Sequence, residues 1–101
     1  MERFYEMARA ANKRFPNGVE PYQMITRLLE ECGEVAAEVN LWEASGIKRM
    51  KHGEPKKEDL ANELRQAIRE LFQIAAYYHV EKELEDSIEA SLRHAREEGL
   101  I

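Results

Sequence analysis

The chain reads as an all-α protein: an antiparallel hairpin of two long helices with flanking helices, expected to form a helical bundle on dimerisation. Three observations lead there. Apolar residues recur with helical spacing over four segments. No segment alternates apolar and polar residues for long enough to be a strand. Proline and glycine fall mainly between the periodic segments, where they break helices.

The first predicted helix covers residues 2 to about 14, with Phe4, Met7, Ala8 and Ala11 on its apolar side. Phe15-Pro16-Asn17-Gly18 ends it. A second helix starts near Pro21, a residue tolerated in a first turn, and runs to about Ala44. Its stripe is Met24, Ile25, Leu28, Leu29, Cys32, Val35, Ala36 and Val39. Gly33 costs about 1 kcal/mol against alanine in a helix interior, which a close approach by a backbone or a ligand would explain. Cys32, lying on the stripe, is expected to be buried and inert. Two glycines and a proline make residues 45–55 a loop. The third helix spans about Lys56 to His79, with Leu60, Leu64, Ala67, Ile68, Leu71, Phe72, Ile74, Ala75 and Tyr78 in register. Tyr77 and Tyr78 fit core and interface positions. A last helix, about Lys82 to Glu98, carries Leu84, Ile88 and Leu92, and Gly99 closes it.

With 101 residues, one domain spanning 1–101 is expected. A core of this size often needs a second copy to pack against. The net charge of −5 argues against binding nucleic acid polymers, which requires a basic surface. A single cysteine leaves no intrachain disulfide and suits a reducing compartment. No apolar run approaches the roughly 20 residues of a membrane span. The charged start, Met1-Glu2-Arg3-Phe4-Tyr5-Glu6, lacks a signal-peptide core. A cytoplasmic protein without membrane partners is the expectation.

Chemistry is concentrated in two acidic patterns, Glu30-Glu31-Cys32-Gly33-Glu34 and Glu63-Leu64-Arg65-Gln66. Glu31 and Glu34 leave the same side of a helix about one turn apart. Their repulsion costs stability unless a positive charge offsets it. In an antiparallel pair, if Glu34 lies level with Glu63, then Glu31 lies level with Gln66. Helical bundles build carboxylate metal sites in this way. Oxygen ligands suit Mg²⁺ or Mn²⁺ rather than zinc, and Mg²⁺ readily binds substrate phosphates. An acidic pair can equally be a solvated helix face. Here, however, Glu31, Glu34 and Glu63 all adjoin apolar stripes.

Leu29-Glu30-Glu31-Cys32-Gly33-Glu34-Val35-Ala36 closely resembles the first signature of the MazG-like all-α NTP pyrophosphohydrolases, Glu-Glu-x-Gly-Glu followed by an aliphatic residue. The second signature of that family, Glu-x-x-Asp, falls on Glu63-Leu64-Arg65-Gln66, and the similarity covers roughly residues 20–90. The resemblance implies Mg²⁺-dependent hydrolysis of a nucleoside triphosphate to the monophosphate and pyrophosphate, in a homodimer or homotetramer. It implies Glu31, Glu34 and Glu63 as metal ligands, with Glu30 in a supporting catalytic role. Gln66 departs from the pattern: its amide offers one oxygen to a metal but no charge. That departure motivates an alternative, a catalytically impaired MazG-like relative acting as a nucleotide-binding or regulatory helical module. A helical protein–protein adaptor with fortuitous motifs is a third possibility.

Other residues join the candidates. Lys48, Arg49 and Lys51, with His52, Lys56 and Lys57, form a local basic cluster that could grip substrate phosphates. Trp42 could stack on a nucleobase or simply pack, and Asn40 could bind a ligand or satisfy the helix end. His52 has no visible partner for acid–base work. Glu38, one turn beyond Glu34, is expected to be solvated rather than to hold a second ion. Glu70 lies about 10 Å along the axis from Glu63, too far to share an ion, and should pair with Arg27.

Overall fold

A computed structural model describes residues 1–44, 50–51 and 53–101. Among them it is all-helical, with four long helices: α1 (Glu2–Arg14), α2 (Pro21–Glu43), α3 (Lys57–Tyr77) and α4 (Glu81–Glu97). A short 3-10 turn, Pro16–Gly18, joins α1 to α2. The bounds agree with the sequence expectation to within two residues. Their causes are local. Pro21 sits in the first turn of α2, and Glu20 and Gln23 cap that end reciprocally, the Glu20 N–H donating to Gln23 Oε1 at 3.1 Å. Gly99, at φ 76, takes the left-handed conformation that ends α4, and the following Leu100 N–H returns to the Ala95 carbonyl at 2.9 Å.

α2 and α3 make the most extensive helix contact, and α1 packs on α3. The small core sits between α1 and α3: Tyr5, Ala8, Phe72 and Ala75, with Phe4, Ile68, Ala76 and Leu84 against it. Phe72 meets Tyr5 edge-on at 4.7 Å and Phe4 at 5.1 Å. α4 adds Leu84 to this cluster but otherwise touches α3 lightly.

The α2 stripe is only partly covered. Met24 is 1% exposed, whereas Ile25, Leu29 and Val39 are 44%, 68% and 46% exposed. Cys32, expected to be buried, is exposed. Tyr77 and Tyr78 are also exposed and stack edge-on against each other at 5.0 Å. The physical reason is geometric. Among the described residues α3 is the one extensive neighbour of α2; Met24, Leu28 and Val35 are buried or half-buried, while the remainder of the stripe stays exposed. No described group lies within 4 Å of where a Gly33 Cβ would stand, so approach of another backbone among the described residues does not explain that glycine. The molecule is a slab of 46 × 46 × 21 Å. Its radius of gyration is 16.9 Å, against about 13 Å for a compact domain of this length.

Candidate metal centre

The contact between α2 and α3 brings three carboxylates together. One oxygen from each of Glu31, Glu34 and Glu63 lies within 4.8 Å of the other two. Glu31 and Glu34 come from successive turns of α2, and Glu63 comes from the second turn of α3. Glu31 and Glu63 are half-buried and Glu34 is exposed at the rim. Oε2 of Glu31, of Glu63 and of Glu38 is buried with no hydrogen-bond partner among the described residues. Glu38 therefore differs from its solvated expectation: its stem lies along the seam and one oxygen is out of water.

Crowding and burial raise the proton affinity of Glu31 and Glu63. The Glu63 carboxyl is pushed up to about 7, first by its hydrogen bond with Glu34, then by burial and by the charges of Glu34, Glu31 and Glu38. The Glu31 carboxyl is raised by burial and then by Glu34, while the Arg69 charge draws it back down.

The geometry fits one divalent ion. Two oxygens bound to the same Mg²⁺ are at most about 4.2 Å apart, and to the larger Ca²⁺ about 5 Å. The 4.8 Å bound lies within the Ca²⁺ limit and above the Mg²⁺ limit, so the three side chains would have to draw together to share Mg²⁺. A hard cation preferring oxygen ligands matches this donor set, whereas zinc would favour nitrogen and sulfur.

The other expected residues are distributed unevenly. Gln66 is half-buried on α3, one turn beyond Glu63. Glu30 is exposed and stands outside the group of three. Trp42 is half-buried in the last turn of α2, and Lys51 is exposed. Lys48, Arg49 and His52 lie outside the described residues. Beyond Glu38 the seam opens into a cavity of about 500 Å³ lined by Glu38, Asn40, Leu41, Glu54, Lys56 and Asp59. Asp59 stands four residues before Glu63 and hence on the same helix face, a place the two acidic patterns do not include.

Below the cluster the Glu70–Arg27 pair forms as expected, Arg27 Nε donating to Glu70 Oε1 at 3.2 Å. The same oxygen accepts from Arg69 Nη2, also at 3.2 Å, a partner that stripe spacing did not suggest.

The chain matches no protein-family model, and comparison with curated proteins and with solved structures likewise returns no match.

Proposed function

We propose that this protein is a Mg²⁺- or Mn²⁺-dependent nucleoside triphosphate pyrophosphohydrolase of the MazG-like kind. One observation carries the reading: three carboxylates converge across α2 and α3 with oxygens within 4.8 Å, two of them half-buried and with no Lys or Arg side chain bonded to any of the three among the described residues. The motif resemblance supplies the reaction class. Glu31, Glu34 and Glu63 would hold the ion, which when bound would neutralise phosphate oxygens and acidify a water. The chain's own part is to fix three oxygens on two rigid helices and to orient the phosphate chain. Lys56, at the neighbouring cavity, and the basic residues Lys48, Arg49 and Lys51 would take its negative charge. Trp42 would bound the nucleoside end. Glu30 would orient the attacking water from the rim.

The pairing of Arg27 with Glu70 and of Glu34 with Glu63 runs in opposite senses along the two helices, which supports an antiparallel hairpin. The flat shape and the exposed Ile25, Leu29, Leu64, Leu71 and Tyr78 support a homodimer closing over that face. Light scattering should return twice the chain mass, and Leu29→Asp with Leu71→Asp should return the single chain.

The activity is tested with a nucleotide panel and Mg²⁺ or Mn²⁺. Pyrophosphate and a monophosphate are expected from at least one member; no release from any contradicts the reading. Gln66 favours a second reading, a nucleotide-binding module with little turnover. A large gain on Gln66→Asp from a near-inactive chain supports that second reading, and little change in an active chain supports the first.

A further inference from the structure

Glu70 is the most deeply buried charge in the described structure, at 1% exposure, and it sits where α1, α2 and α3 meet. Its Oε1 holds Arg27 of α2 and Arg69 of α3 at the same distance, 3.2 Å. Gln73, 3% exposed, lies beside it: Nε2 donates to Asn12 of α1 at 2.8 Å, and with the amide turned over it donates to Glu70 Oε2 at 3.0 Å. Such a node is a poor way to gain stability, because desolvation offsets most of the attraction and an apolar residue of similar volume often does as well. What a charged node fixes better than an apolar one is register. Here the register matters. Arg27 precedes Glu31 by one turn of α2, and Glu70 follows Gln66 by one turn of α3. The clamp therefore stands at the next level of the seam that carries the three carboxylates.

We infer that Glu70 is a positioning residue for the cation site: by gripping Arg27 across the seam, with Arg69 of its own helix bracing the same oxygen, it sets the spacing between α2 and α3 that would let Glu31, Glu34 and Glu63 reach a common ion. This rests on the metal-site reading above. Arg69 braces the Glu70 carboxylate from its own helix, and Arg27 carries the link to α2. Partners that orient metal ligands from behind are worth about 10- to 100-fold in affinity.

The test is Mn²⁺ titration of the full chain by calorimetry, with circular dichroism confirming that each variant is folded at the working temperature. Glu70→Ala should bind Mn²⁺ about 10- to 100-fold more weakly than wild type. Glu70→Gln keeps an acceptor oxygen for both guanidinium groups and should recover most of that loss; Arg27→Ala, which removes the α2 side of the link, should show the same loss as Glu70→Ala and decides the matter if the Glu70→Ala variant does not fold. A role confined to stability would lower the melting temperature of both variants and leave Mn²⁺ affinity of the folded protein within twofold of wild type, which overturns the inference. A wild-type chain that binds no Mn²⁺ contradicts both this inference and the metal site beneath it. Binding by wild type with unchanged affinity in Glu70→Ala and Glu70→Gln contradicts the positioning role alone.

Discussion

Two groups of acidic residues share one helix seam and are treated in opposite ways. At Glu70 a single carboxylate meets two guanidinium groups and an amide, so its charge is answered inside the protein. One turn along α2, Glu31, Glu34 and Glu63 meet one another, and two of them keep a buried oxygen without a hydrogen bond. A carboxylate that is buried costs free energy unless it is paired, protonated or bound to a metal. The lower node takes the first solution. In the upper cluster Glu63 leans towards the second, its carboxyl pushed up to about 7, and the third is the solution proposed above. The contrast teaches that burial alone does not mark a functional acid; what distinguishes the upper site is that no Lys or Arg side chain is bonded to it among the described residues.

The largest effect that would break this contrast is loss of a ligand. Glu34→Gln should weaken Mn²⁺ binding by at least about 100-fold, more than an outer partner is worth, and should remove any pyrophosphate release. Unchanged binding would mean that the ion, if any, sits elsewhere. Next comes the sign of neutralisation. Glu70→Gln removes the charge that two arginines share, and since Arg27 and Arg69 are 31% and 23% exposed the cost is discounted to about 1–3 kcal/mol. Glu63→Gln should instead raise the stability of the metal-free chain above pH 7, because it deletes a repelled charge. Urea unfolding of both variants checks the pair, and shifts of the same sign would erase the distinction.

A smaller effect follows from pH. The folded Glu63 carboxyl, at about 7, lies above the ordinary carboxylate range. Below that ordinary range the group is protonated in both states and its stabilising contribution is fully present; it is lost as pH rises through about 7, where the folded chain must ionise it among its neighbours. The metal-free melting temperature should therefore fall between pH 5.5 and pH 8, and fall less in Glu63→Gln. Mn²⁺ must displace the same proton, so its affinity should drop about tenfold per unit as pH falls below that value. The smallest effect lies on the far side of α2. Gly33→Ala enters open space and should stabilise by up to about 1 kcal/mol without touching Mn²⁺ affinity. A loss of affinity there would mean that the helix backbone at Gly33 belongs to the site.

Much of the fold was legible because its signals are local. Pro21, Gly99 and the periodic stripes mark helix ends and faces without reference to any neighbour. The meeting of Glu31, Glu34 and Glu63 was legible for a related reason: spacing and an antiparallel register put all three on facing sides. Exposure was harder. Cys32 and Leu29 share a stripe with Met24, but how much of a stripe is covered depends on how many helices lie against it. Arg69 lies off the apolar stripe of α3, and its link to Glu70 depends on a rotamer, not on a period. Asp59 carried the same i, i+4 signal as the residues that were singled out.

A crystal soaked in Mn²⁺ tests the central claim most directly. An anomalous peak bonded to oxygens of Glu31, Glu34 and Glu63, with Glu70 still held by Arg27 and Arg69, is the predicted result. A map with no peak between those three carboxylates, at a Mn²⁺ concentration where the protein is intact, would contradict it.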